Sequence, residues 1–83
     1  MKIYDFQGRK NVCGEKIRQF RKQKKLSQIE FAARLQVEGV MLERDSISRI
    51  ESGERFVADY ELYIIAKVLG TEIVELLEIQ ETQ

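Results

Sequence analysis

The apolar residues of this chain recur at helical spacing, in short segments that are separated by glycines or by helix-capping residues. The clearest segment lies just before Gly70 and contains Leu62, Ile65, Ala66 and Leu69, in an i, i+3, i+4, i+7 pattern. A chain of 83 residues is long enough for one compact domain and too short for two. The pattern therefore predicts a small all-α domain with a single core.

Capping residues mark the start of three predicted helices. Because the chain has no proline, these residues and the glycines carry the boundary signals. Ser27 and Glu30 form an S-x-x-E capping box, in which each side chain bonds the backbone N–H of the other residue. Asp59 is the predicted N-cap of a later helix, and a last helix is predicted to open at Thr71 or Glu72.

Two further helices are predicted from narrow apolar stripes in polar surroundings. One covers residues 14–25, and the other runs from Glu43 or Arg44 to Ser52 and ends at Gly53. Together with the four residues before Gly70, the residues expected to face the core are Ile17, Phe20, Phe31, Ala32, Leu35, Ile47, Ile50, Ile73, Leu76 and Leu77. The prediction is a bundle of five helices.

Basic and acidic residues are segregated along the chain, although its net charge is zero. Residues 1–25 contain nine basic and two acidic side chains, whereas residues 26–83 contain five basic and twelve acidic ones. Such polarity can orient a molecule against a polyanion. The alternative is a solvated basic helix without a ligand, and charge alone does not decide between the two.

Residue content argues against several classes of function. The chain has no histidine and a single cysteine, Cys13, so it has no internal disulfide, no imidazole base and no histidine pair for a metal. We interpret Cys13 as a passive side chain rather than a redox sensor. The apolar runs are far shorter than the roughly 20 residues that span a bilayer, and no signal-type stretch is present. We expect a cytoplasmic protein that is not an enzyme, needs no cofactor or metal, and does not bind membranes.

The third predicted helix has the two faces that a DNA-recognition helix needs. The major groove of B-DNA is about 12 Å wide and admits one helix, which must be buried on one side and polar on the other. Successive side chains of an α-helix are rotated by about 100° around its axis. If Ile47 and Ile50 point inward, the residues that point outward or to one side are polar: Arg44, Asp45, Ser48, Arg49 and Ser52. Arginine can bind guanine O6 and N7, aspartate can accept from a cytosine amino group, and serine can contact base or phosphate. In an arbitrary helix the same side chains would only be solvated.

Three segments, taken together, resemble one family of regulators. LSQIEFAARL, DSISRIESG and DYELYIIAKVLGTEIVELL are similar to the Cro/C1-type (XRE-like) helix-turn-helix family, over residues 14–78. The resemblance implies a five-helix lambda-repressor-like bundle that binds double-stranded DNA. The residues that it assigns are Arg44, Asp45, Ser48 and Arg49 to bases, Gln28, Ser52, Gly53 and Arg55 to the DNA backbone, and Arg21 with Glu51 to an ion pair.

The connection between the second and third helices departs from the family pattern. Gln36 to Glu43 add about five residues to a turn that is usually tight, within the ordinary range of connection lengths. Gly39 is the predicted left-handed end of the second helix. The apolar residues that follow it are expected to tuck against the core: Val40, Met41 and Leu42.

The two ends of the chain also lie outside the family pattern. Residues 1–13 form either an arm whose basic residues follow DNA phosphates, or an apolar strap packed on the core through Ile3, Tyr4 and Phe6. The strap is the commoner role for such a segment and is the one that we predict. Residues 79–83 form a tail.

These observations predict a sequence-specific transcriptional regulator, most simply a repressor that occupies its operator. A homodimer is expected on DNA, because one short helix reaches too few base pairs for genomic specificity. Val74 and Ile79, in the last helix and the tail, are the apolar residues available for dimerisation. The alternative is an antitoxin-like interaction module that binds a protein partner through its C-terminal helix and DNA only secondarily.

Overall fold

The computed structural model describes residues 5–78 and shows the predicted all-α domain. Its helices are α1 (Gly14–Gln23), α2 (Gln28–Val37), α3 (Arg44–Ser52), α4 (Asp59–Leu69) and α5 (Ile73–Leu76). Outside the helices, this part of the chain contains one isolated antiparallel bridge, between Phe6 and Arg9. None of the described helices is long and apolar enough to cross a membrane.

All five helices contribute to one apolar core. α1 packs against α3, α4 and α5, and α2 packs against α3 and α4. The largest fully buried side chains are Ile17, Phe31, Leu35, Ile47, Ile50, Ile65 and Leu76. Burial of each such side chain stabilises the fold by about 1.5–3 kcal/mol. Packing rather than intrinsic propensity therefore holds these short helices in place.

The ends of α1 and α2 follow local backbone signals. Ser27 Oγ accepts from the Glu30 N–H at 3.0 Å, and a Glu30 carboxylate oxygen accepts from the Ser27 N–H at 2.8 Å. This is the predicted capping box. The first helix ends earlier than predicted, at Gln23, because Lys25 adopts the left-handed conformation with φ 59°.

The start of α4 corrects one prediction by a single residue. Ala58, not Asp59, is the N-cap, and Asp59 is the first helical residue. A carboxylate oxygen of Glu61 accepts from the Ala58 N–H at 2.9 Å. Because alanine has no side-chain acceptor, only this half of a capping box is formed.

Residues 38–43 connect α2 to α3. Gly39 has φ 93°, and the Val40 N–H donates to the Leu35 carbonyl at 2.9 Å. Val40 and Leu42 are buried as predicted, but Met41 is 72% exposed. The Leu42 N–H donates to the Val40 carbonyl at 3.1 Å, and this tight turn points Met41 away from the core.

The last helix, α5, is a single turn and buries less than predicted. Leu76 is fully buried, whereas Ile73 and Leu77, which were expected in the core, are 36% and 43% exposed. One turn presents too little surface to bury more than one of these side chains. Val74 is 66% exposed. We refer to Ile73, Val74 and Leu77 as the α5 patch.

Candidate nucleic-acid interface

The helix α3 has one buried and one exposed face. Ile47 and Ile50 are each 1% exposed, and Glu51 is buried beside them. Gly53 ends the helix with φ 87°, in the left-handed region that favours glycine. The inward side chains fix the orientation of α3 relative to the rest of the bundle.

Most of the residues predicted to contact bases lie on the exposed side of α3. Arg44, Asp45 and Arg49 are exposed, whereas Ser48 is half-buried. Arg44 Nη1 lies 3.4 Å from Asp45 Oδ1, a surface pair that contributes little to stability. The two arginines therefore present their guanidinium groups to solvent from a helix that is held on its other side.

A buried ion pair joins α1 to α3. Arg21 Nε donates to Glu51 Oε2 at 2.6 Å, and Arg21 Nη2 donates to Glu51 Oε1 at 3.0 Å. Arg21 Nη1 donates to the Leu26 carbonyl at 2.7 Å, and Gln28 Nε2 donates to Glu51 Oε1 at 3.1 Å. The Arg21 and Glu51 side chains are 9% and 5% exposed. Both charged groups are therefore buried and hydrogen-bonded within the protein. The Gln28 amide links the start of α2 to the same carboxylate.

An open cleft lies between α1, the start of α2 and α3. It has a volume of about 260 Å³ and is lined by Arg18, Arg21, Gln28, Ser48, Glu51 and Ser52. Ser52 Oγ donates to the Arg49 carbonyl at 3.1 Å. The structure therefore brings Gln28, Ser48 and Ser52 together on one flank of α3, next to an arginine, Arg18, that the sequence analysis does not assign.

Arg55, which was predicted to contact the DNA backbone, forms an ion pair within the fold. Its Nη1 and Nη2 donate to the two carboxylate oxygens of Glu61 at 3.0 and 3.2 Å, and Nη1 also donates to the Phe56 carbonyl at 2.8 Å. Burial raises the pKa of the Glu61 carboxyl, but hydrogen bonds from Arg55 and from the Ala58 N–H, with the charge of Arg55, outweigh burial and lower this pKa. The pair ties the loop after α3 to the start of α4.

A comparison with protein families gives one match, which covers most of the chain. The helix-turn-helix family model HTH_3, of the Cro/C1 or XRE-like type, matches residues 17–76. The chain belongs to this family. It is a DNA-binding helix-turn-helix regulator. Comparisons with curated proteins and with solved structures gave no match.

In this helix-turn-helix domain, Asn11 joins α1, α3 and the loop after α3. Asn11 Nδ2 donates to the Ile50 carbonyl at 3.0 Å and to the Arg55 carbonyl at 2.8 Å, and Asn11 Oδ1 accepts from the Gly14 N–H at 2.8 Å. The contact is too close for a side chain at Gly14, where a Cβ would lie 2.0 Å from the Ile50 carbonyl oxygen. Asn11 and Gly14 together allow α1 to start directly against the end of α3.

Arg9 and Lys10 extend this contact to the last carbonyls of α3. Arg9 Nη2 donates to the Glu51 carbonyl at 3.2 Å, and the Lys10 N–H donates to the Gly53 carbonyl at 2.8 Å. The carboxyl end of a helix leaves carbonyl groups without partners inside the helix. Residues 9–11 therefore supply donors to the end of α3, and Arg9 is turned toward the protein.

Where the structure describes it, the N-terminal segment is held by the polar contacts of residues 9–11 and by Cys13, which is buried in the core. Phe6, one of its predicted apolar contacts, is 50% exposed. The other two, Ile3 and Tyr4, lie outside the described residues, as does the tail 79–83. The apolar packing predicted at Phe6 is wrong, because the hydrogen bonds of residues 9–11 hold the segment instead.

Sequence reasoning missed two residues: Asn11, which holds the end of α3 from inside the fold, and Arg18, which lines the cleft. An asparagine just before a helix is a known capping signal, and Asn11 stands three residues before Gly14. Arg18 is three residues before Arg21, so both lie on one side of α1. These two spacings are the only signals that the sequence offers for them.

The thiol of Cys13 takes no part in the interface. The residue is 2% exposed. Burial raises the pKa of the thiol to about 11, against the smaller lowering effects of a backbone hydrogen bond and the charge of Arg9. Because the thiolate is the reactive form, burial and the raised pKa both favour a passive role for Cys13.

Proposed function

We propose that this protein is a sequence-specific transcriptional regulator that represses promoters by occupying its operator. The observation that carries the proposal is the division of α3, whose inward residues are fixed while Arg44 and Arg49 extend into solvent. A helix held in this way fits the major groove, where an arginine binds guanine O6 and N7 with two hydrogen bonds. Occupation of the operator then excludes other proteins from the promoter.

The base contacts in this proposal come from the exposed side of α3. Arg44 and Arg49 bind guanines. Asp45, 3.4 Å from Arg44, accepts from a cytosine amino group or orients that arginine. Ser48, half-buried on the flank of the helix, contacts either a base edge or a phosphate.

The backbone contacts come from residues that also hold the fold together. Gln28 gives one amide hydrogen to Glu51 and keeps the other for a phosphate. Arg55, which uses three N–H donors on Glu61 and Phe56, keeps two of its five for the same purpose. Ser52 lies at the end of α3, and its O–H reaches a phosphate by turning away from the Arg49 carbonyl, to which it donates in this structure. Such contacts position a protein on DNA without specifying sequence.

Selection of bound sequences from a random duplex pool tests the proposal. We expect one enriched motif for the wild-type protein. Arg49→Ala should lose about 1–3 kcal/mol of specific binding and relax the preference at one base pair, whereas Gln28→Ala should weaken all sequences alike. Arg34→Ala, which removes an exposed arginine of α2, is the matched control and should retain the motif. A folded protein that enriches no motif would rule out sequence-specific regulation.

We propose that a second copy of the chain covers the α5 patch when the protein is bound to DNA. Two copies place two α3 helices in the major groove one turn apart, so the selected site should be an inverted repeat with half-site centres about 10 base pairs, or a small multiple, apart. Val74→Glu should weaken dimerisation in sedimentation and retain the fold. Val37→Glu, at an apolar residue of α2 that is 84% exposed, is the control. Ile79, also predicted at this interface, lies outside the described residues.

The exposed α5 patch also favours a second candidate function, an antitoxin-like module in which a partner protein covers the patch. The two candidates differ in the main ligand of the protein, which is DNA for the regulator and a partner protein for the interaction module. A selected inverted repeat with two protein chains supports the regulator. Absence of any motif, combined with a purified partner complex that Val74→Glu abolishes, supports the interaction module.

A further inference from the structure

The end of α3 is closed by a local turn that includes the backbone of Arg49. The Gly53 N–H donates to the Ile50 carbonyl at 3.1 Å, and the Glu54 N–H donates to the Arg49 carbonyl at 2.8 Å. With Gly53 at φ 87°, these two bonds form a Schellman motif. Arg49 lies in the last turn of α3, and the ends of helices fray. The direction of the Arg49 side chain therefore depends on how firmly Gly53 is held.

A segment before α1 folds back on itself in a tight hairpin turn. We refer to residues 6–11 as the N-terminal clasp. Phe6 and Arg9 exchange backbone hydrogen bonds at 2.7 and 2.9 Å, around Gln7 and Gly8, which both have positive φ. Positive φ at both central residues is typical of a two-residue hairpin turn. The turn therefore fixes the backbone of the clasp at Arg9.

The Arg9 guanidinium lies against the backbone of Gly53. A Cβ at Gly53 would be 2.5 Å from Arg9 Cζ and 2.7 Å from Arg9 Nε, so the guanidinium occupies the space that the glycine leaves. Arg9 Nη2 donates to the Glu51 carbonyl at 3.2 Å, and the Lys10 N–H donates to the Gly53 carbonyl at 2.8 Å. The Arg9 side chain is 28% exposed. The clasp thus holds the last turn of α3 through one side chain and one backbone bond.

We propose that Arg9 is a positioning residue for base recognition, whose contact with Gly53 fixes the direction of Arg49 before DNA binds. The inference rests on the proposed function, in which Arg49 binds a base. The clasp lies outside residues 17–76, which the family model matches. A side chain that is already held in place loses less conformational freedom on binding, which favours its contact with the correct base. Binding through phosphate charges does not need this geometry. Loss of the Arg9 side chain should therefore weaken binding to the selected duplex more than to an unrelated one.

The affinities of Arg9→Ala for the selected duplex and for an unrelated duplex test this role. The ratio of the two affinities should fall about three- to tenfold. The slope of log K against log salt concentration should stay that of the wild type, because a positioning residue contacts no phosphate. Arg9→Lys keeps the charge but not the planar group, and should recover little of the ratio. Arg34→Ala, which removes an exposed arginine of α2, is the charge-matched control and should keep both the ratio and the slope.

Amide hydrogen exchange in the absence of DNA measures the contact between Arg9 and the end of α3. In Arg9→Ala, the Glu54 N–H should exchange about tenfold faster than in the wild type, because it closes the turn that Arg9 holds. The end of α4 provides an internal control. There Gly70 has φ 68°, and the Thr71 N–H donates to the Ala66 carbonyl at 3.0 Å in the same kind of turn. The exchange of the Thr71 N–H should not change.

Four outcomes would overturn the positioning role of Arg9. Equal exchange rates in Arg9→Ala and the wild type at Glu54, or equal acceleration at Glu54 and Thr71, would show that Arg9 does not hold the end of α3. A salt slope that becomes smaller by about one in Arg9→Ala would make Arg9 a phosphate contact. A lower stability with an unchanged affinity ratio would leave Arg9 a structural residue only, and full recovery of the ratio by Arg9→Lys would show that charge alone suffices. If the wild-type protein enriches no motif, the proposed function itself fails, and this inference with it.

Discussion

Replacing Asn11 by alanine removes three hydrogen bonds that join α1, α3 and the loop after α3. The Ile50 carbonyl keeps a second donor, the Gly53 N–H at 3.1 Å, but the Gly14 N–H and the Arg55 carbonyl each lose their side-chain partner. A hydrogen bond contributes about 1 kcal/mol net, and an unsatisfied buried group costs about 1–3 kcal/mol. We therefore expect Asn11→Ala to lower the free energy of unfolding by about 3 kcal/mol.

Urea unfolding, with the slope m held in common, measures this loss. For a domain of this size each kcal/mol changes the unfolding temperature by about 4–8 °C, so the expected decrease is about 12–24 °C. Asn11→Asp keeps the acceptor for Gly14 but places a carboxylate beside two carbonyl oxygens, and should lose at least as much. Gln19→Ala, at an exposed position of α1, is the control. A loss at Asn11 below about 0.5 kcal/mol, the range of surface substitutions, would refute the role of these hydrogen bonds.

Three further predictions concern caps and ion pairs. Ala58→Ser completes the capping box with Glu61 and should stabilise the domain by about 1 kcal/mol in denaturant unfolding; a destabilised variant contradicts this. The pKa of Glu61 is lower in the folded protein than its ordinary value of 4.5. The contribution of Glu61 to stability is therefore present above that pH and is lost as the pH falls through the folded-state pKa. Unfolding measured between pH 6 and about pH 3 should show this loss of stability in the wild type and not in Glu61→Gln. A double-mutant cycle between Arg21 and Glu51 should give a coupling above 1 kcal/mol, with Glu54→Ala nearly neutral, whereas losses that add to within about 0.5 kcal/mol would argue against the pair.

The helix ends that lie at a capping box or at a left-handed glycine were predictable, because these signals act within a few residues. Ser27 and Glu30, which form a capping box, are only three residues apart. Gly53 ends α3 through its own left-handed backbone conformation. The inward direction of α3 follows from the same local periodicity, once Ile47 and Ile50 are buried. That direction also places Arg44 and Arg49 outside.

Contacts between distant segments were not predictable from spacing. Asn11 meets the Ile50 carbonyl 39 residues away, and no periodic pattern links the two positions. The exposure of Ile73 and Leu77 follows from the length of α5, which is a single turn. Ser48 is a second example. The helical periodicity of α3 predicts only that Ser48 points outward, and it does not show that residues of α1 and α2 border a cleft there.

The two faces of α3 also differ in how freely their residues can change during evolution. Ile47, Ile50 and Glu51 tie the helix to the bundle, whereas Arg44 and Arg49 are exposed and pack against no part of the core. Substitutions on the outer side therefore cost little folding free energy, while those on the inner side are costly. Under the proposed function, a duplicated copy of the domain can acquire a new target sequence through a few outward changes and keep its fold.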